Sequence, residues 1–107
     1  MDLLTRPEEL ILLAVWRLKD SAYCIPIHEQ VSFITSEKLS LGSIYMPLDR
    51  LVKKGFLESY LSEATPDRGG RHKRIYRLTR EGLKALQKIR SVEDRMWSGI
   101  PDLSEEG

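Results

Sequence analysis

The strongest constraint on this chain lies between Ser40 and Thr79, where the apolar spacing changes from that of a helix to that of strands. Ser40 is a good helix cap, and Ile44, Leu48, Leu51 and Val52 fall on one face of a helix running to Lys54. Gly55 suits the residue just past a helix end. Phe56 to Leu61 then reads as a strand, Thr65-Pro66-Asp67-Arg68-Gly69-Gly70 as a turn, and Arg74 to Leu78 as the returning strand. Thr79 caps a last helix over about 80–98, which Gly99 and Pro101 end.

Two helices precede this block. Thr5, Pro7 and Glu8 form a helix start with the spacing of a capping box. Leu10, Ile11, Leu13, Ala14, Trp16 and Leu18 make the helix over 6–19 apolar on a wide arc, which predicts a central position. Asp20-Ser21-Ala22 breaks it, and Tyr23-Cys24-Ile25 is expected to be a short extended piece. Pro26 then opens a second helix, whose Ile27, Val31 and Ile34 share a buried face up to Thr35. Pro47 lies inside the third helix and predicts a kink or weakened turn near Ser43.

The order is therefore helix, helix, helix, hairpin, helix. That is mainly α with a small β-hairpin: a winged helix-turn-helix followed by one C-terminal helix. The expected division is a winged unit over 1–79, with a recognition helix at 41–54 and a wing at 56–78. A dimerisation helix over 80–98 and a tail over 99–107 follow. With 107 residues in all, one core is expected.

Charge is uneven along this plan. The net charge is only +1, but residues 1–39 hold 4 basic and 6 acidic side chains, residues 40–80 hold 9 and 4, and residues 81–107 hold 4 and 6. The balances are −2, +5 and −2. Arg68, Arg71, Lys73, Arg74, Arg77 and Arg80 stand together with no acid among them, and His72 adds another donor. A donor-rich turn of this kind suits phosphates, and arginine also suits a narrow minor groove. A solvated basic loop is the plainer alternative.

The third helix supports the first reading. Opposite its apolar face stand Gly42, Ser43, Met46, Arg50 and Lys53. Ser43 can bond a base edge or a phosphate, and Met46 can touch a thymine methyl. Arg50, Lys53 and Lys54 suit phosphates, with guanine a further option for Arg50. Ser40 belongs to the same end, and Tyr45 flanks the core with its hydroxyl in reach of a phosphate. Asp49 is expected to pair with Lys53 one turn on. The partner implied is a double-stranded DNA operator.

These residues resemble the PadR family of bacterial transcriptional regulators. "SLGSIYMPLDRLVKKGFLES" is similar to its recognition helix, "TPDRGGRHKRIYRLTREG" to its wing and following helix, and "AYCIPI" to the opening of its second helix. The similarity covers roughly residues 8 to 98. Cys24 stands where relatives often have glycine, and Pro47 comes one position later than theirs. The resemblance implies a winged-helix homodimer acting as a repressor, released in some members by a small aromatic or drug-like molecule near the interface.

The last helix agrees with a dimer. Leu83, Ala85, Leu86, Ile89, Val92, Met96 and Trp97 spread over about half its circumference, more than the ~100° stripe one core needs. Leu83, Leu86, Ile89, Val92, Met96 and Trp97 are thus the expected interface, with Glu93 facing a base of the other protomer. Trp16 and Trp97 are the candidates for lining an effector pocket, ordinary packing being the alternative.

Other classes are disfavoured. A single cysteine, Cys24, forms no intramolecular disulfide and is too few for a zinc finger, which points to a reducing, cytoplasmic setting. No basic region precedes an apolar leader, and the apolar run from Leu10 to Trp16 is short of the roughly 20 residues that span a membrane. Cys24 and His28 are four apart, a spacing that joins them only if both are helical. His72 reads as DNA-facing, so no enzyme, cofactor or metal is expected. The remaining alternative is a winged-helix protein-interaction module, for which an apolar or acidic recognition face would be expected.

Overall fold

The computed structural model describes residues 2–63 and 72–103. Its elements are α1 (Arg6–Leu18), a 3-10 turn (Lys19–Ser21), α2 (Cys24–Thr35), α3 (Gly42–Lys53), β1 (Leu57–Leu61), β2 (Arg74–Leu78) and α4 (Arg80–Trp97). This is the expected winged helix-turn-helix arrangement, mainly helical with one antiparallel hairpin. No helix among the described residues is long and apolar enough to cross a membrane.

Helix α1 begins as its sequence dictates. Thr5 Oγ1 accepts from the Glu8 amide at 3.3 Å, and Glu8 Oε1 accepts from the Thr5 amide at 2.9 Å. The helix is central, touching α2, α3, α4 and β2. Its Ile11, Leu12, Ala14 and Val15 are buried, and around them close Ile27 and Val31 of α2, Ile44, Leu48 and Leu51 of α3, Leu57 of β1, Tyr76 of β2 and Leu86 of α4.

Helix α2 starts earlier than expected. Tyr23 is the extended residue (φ −119°, ψ 174°), and Cys24 is already helical. Pro26 therefore occupies the third helical position, where its missing amide costs nothing because the first helical amides have no partner in the helix. Just before this start, the Ala22 carbonyl accepts from the Tyr76 amide at 2.8 Å and ties the α1–α2 corner to the hairpin.

The hairpin pairs Leu57 with Leu78, Ser59 with Tyr76, and Leu61 with Arg74. Phe56 belongs to the turn before β1 rather than to the strand. Gly55, at φ 81°, makes the left-handed exit from α3 that a residue with a Cβ would resist. The Thr79 hydroxyl then donates to the Gly55 carbonyl at 2.6 Å, and its amide donates to the Phe56 carbonyl at 3.1 Å. Thr79 also accepts from the Gly82 amide at 3.0 Å, so the cap of α4 is anchored on the end of α3.

Candidate nucleic-acid interface

Helix α3 is held by its inner face. Ile44, Pro47, Leu48 and Leu51 are buried, while Gly42, Ser43, Tyr45, Met46, Asp49, Arg50 and Lys53 are exposed. Pro47 turns its ring to the core, and α3 continues unbroken past it. The expected weakness is reduced to one absent amide, the one that would have bonded the Ser43 carbonyl. The first turn is secured from outside the helix. Ser40 Oγ accepts from the Ser43 amide at 3.2 Å and shares a hydrogen bond with the Ser43 hydroxyl at 2.8 Å. Ser40 thus caps α3 from two residues ahead of Gly42.

The cations of α3 have unequal freedom. Arg50 is exposed at the C-terminal half. Lys53 bonds Asp49 at 3.1 Å, the expected pair one turn apart, and both remain well exposed. Lys54, expected on phosphate, is half-exposed and is engaged within the fold, where its Nζ donates to Glu8 Oε2 at 2.8 Å. Burial alone would raise the Glu8 carboxyl, but the bonds from Lys54 and Thr5 outweigh it and hold the group below the usual carboxylate value. Lys54 therefore fastens the end of α3 to the start of α1.

Residues at the base of the wing are similarly ordered. His72 Nδ1 donates to the Ser62 carbonyl at 2.6 Å. The Lys73 amide donates to Ser62 Oγ at 2.9 Å, and its ammonium lies 4.0 Å from the centre of the Tyr23 ring. Arg74 donates to Ser59 Oγ at 3.0 Å while remaining exposed. Arg68 and Arg71 lie outside the described residues. Sequence reasoning missed Leu41, which is 49% exposed ahead of the first turn of α3; a wheel places it within the core stripe, between Leu48 and Val52, so periodicity gave no sign of its exposure.

Helix α4 corrects several expectations. Leu86 is only 8% exposed and belongs to the core of its own chain, and Ile89 packs partly against that core. Val92 is half-buried. Leu83, Met96 and Trp97 stay exposed. Glu93 finds its base within the chain, with Arg6 Nη1 3.4 Å away. That same guanidinium bonds the buried Glu9 at 2.9 Å. Burial, and then the nearby Glu93 carboxyl, push Glu9 above the usual carboxylate value, against the pull of Arg6.

Within one chain, Trp16 and Trp97 stand at different distances from the groove between α1 and α4. Trp16 borders a groove of about 470 Å³ with Leu13, Leu83 and Leu86. Glu93 and Asp94 line the same groove, and Trp97 lies one turn beyond Glu93. Cys24 and His28 are both helical after all. Burial pushes the Cys24 thiol up, away from thiolate, and His28 Nε2 donates to the Leu39 carbonyl at 2.5 Å. His28 thereby braces the turn between α2 and α3.

Comparison with known proteins agrees with this geometry. The transcriptional regulator PadR-like family model matches residues 12–88. A crystal structure of a PadR family transcription regulator from Clostridium difficile has 31% identity and a TM-score of 0.66, covering 90% of this chain and 91% of that one. A transcriptional regulator from Clostridium thermocellum, at 23% identity and a TM-score of 0.69, shares the fold over 87% of each chain. RosR of H. salinarum is 25% identical with a TM-score of 0.64, over 96% of this chain and 84% of that one. No curated protein sequence matches the chain. With a family match over most of its length and a winged helix-turn-helix in which the exposed side of α3 is framed by cations, the chain belongs to the PadR-like family of DNA-binding transcriptional regulators.

Proposed function

We propose that two copies of this chain form a homodimeric repressor of a double-stranded DNA operator. In this reading residues 1–79 are the DNA-binding unit, residues 80–98 the dimerising helix and residues 99–107 a tail. Each α3 enters a major groove by its N-terminal half, and the wing, with Arg68, Arg71, His72, Lys73 and Arg74, follows phosphates or the minor groove. The observation that carries the reading is the outward side of α3: Ser43, Tyr45, Met46 and Arg50 are exposed while Ile44, Leu48 and Leu51 fix the helix from behind.

The dimer rests on exposure at the far end of α4. Met96 is 74% and Trp97 65% exposed. The radius of gyration, 16.3 Å, exceeds the ~13 Å of a compact domain this size. A second copy related by a two-fold axis would cover these side chains together with Leu83 and the Trp16 groove. Release by a small aromatic or drug-like effector belongs, in this reading, to that groove, where Trp16 supplies an aromatic wall and Trp97 stands one turn beyond the lining residue Glu93.

The experiment is an electrophoretic shift on duplex DNA titrated with salt. Affinity should fall with a logarithmic slope of about −0.9 for each phosphate contacted. An affinity that does not change with salt would remove the DNA reading and favour a protein partner for this face.

A further inference from the structure

The first two turns of the recognition surface carry few hydrogen-bonding groups: the Ser43 and Tyr45 hydroxyls and the Asp49 carboxylate. From Leu41 to Asp49 the exposed residues are Leu41, Gly42, Ser43, Tyr45, Met46 and Asp49. None has the amide or guanidinium that reads adenine or guanine through paired hydrogen bonds. The Ser43 hydroxyl is already bonded to Ser40 Oγ at 2.8 Å, and Asp49 is engaged by Lys53 at 3.1 Å. What this end offers is apolar: Leu41 is 49%, Tyr45 57% and Met46 64% exposed. Arg50 and Lys53 stand one to two turns behind on the same helix.

One feature of base pairs is apolar and projects into the major groove, the C5 methyl of thymine. Cytosine, at the same position, presents only a hydrogen. Resting on the DNA-binding reading above, we infer that this protein selects its operator through thymine methyls seated against Met46 and Leu41, with hydrogen bonding left mainly to the cations that hold the phosphates. The charge arrangement fits a duplex: an apolar tip flanked by Arg50 and by Arg74 of the wing would dock against a polyanion, which an apolar protein partner would not require. Gly42 fits the same contact. A Cβ built there meets nothing nearer than Ser40 Oγ at 3.9 Å, so the fold itself has room for alanine. The missing side chain serves close approach to the groove.

The test uses the full-length protein and a duplex selected by it from a random-sequence pool, prepared with thymine or with deoxyuridine at each position in turn. Deoxyuridine lacks only the methyl. Affinity should fall about three- to fourfold at each methyl contacted, the worth of one buried methylene-sized group. Met46→Ala and Leu41→Ala, both surface changes, should each abolish the sensitivity at its own position and leave the others. Gly42→Ala should fold at least as stably as the parent and lose affinity for the selected duplex. A protein that binds its selected duplex but is indifferent to deoxyuridine everywhere overturns the thymine inference and leaves DNA binding intact. Failure to enrich or bind any duplex overturns both.

Discussion

At the residue scale, the informative side chains are those with partners far away in sequence. Lys54 and Glu8 are separated by 46 positions, and no pattern within a helix could have paired them, so a basic residue at the end of α3 read simply as a phosphate ligand. Glu93 and Arg6 were hidden for the same reason. By contrast, Thr5 with Glu8, and Asp49 with Lys53, were legible because both partners lie within one turn. Glu9 yields a prediction of its own. Its folded pKa is raised, by burial first and then by Glu93, so the fold favours the protonated carboxyl. The stability it contributes is complete below the ordinary carboxylate value of 4.5 and is lost as pH rises through the folded value. Glu9→Gln keeps a hydrogen-bonding side chain without the charge. It should raise the melting temperature at pH 7, with the gain shrinking as pH falls through the folded value and gone below about 4.5. A loss of stability at pH 7 that disappears in acid would mean that the Arg6–Glu9 bond outweighs the carboxyl repulsion.

At the element scale, caps and glycines fixed most boundaries, and α4 opened at Thr79 as read. The start of α2 escaped because a proline is tolerated at any of the first three helical positions, so Pro26 could not say which one it held. The burial of Leu86 escaped too, since a helix wheel shows which residues share a face but not whose core receives them. The join between wing and α4 leaves no room for a side chain at Gly82. A Cβ at Gly82 would stand 2.2 Å from the Phe56 carbonyl oxygen and 2.7 Å from Leu78 Cδ1. In a helix, Gly→Ala ordinarily stabilises by up to about 1 kcal/mol. Here it should destabilise by about 2 kcal/mol, the usual scale of forced overpacking. Urea unfolding would measure it, and a neutral or stabilised variant would show that α4 is free to shift against the end of α3.

At the scale of the whole molecule, the +5 balance falls on the segment that holds α3 and the hairpin, between two segments of −2. The proposed two-fold partner would cover what α4 leaves exposed, Met96 and Trp97. Leu86→Asp would put a charge into the chain's own core, so it cannot separate folding from association. Trp97→Asp and Met96→Asp change exposed positions, and should give a folded monomer by light scattering with helix content retained; a persisting dimer would place the interface elsewhere. The most direct measurement is hydroxyl-radical footprinting of the protein on its selected duplex. A dimeric reader should leave two protected stretches about 34–36 Å apart, one turn of DNA, each centred on a major groove. A single protected stretch, or none, would contradict it.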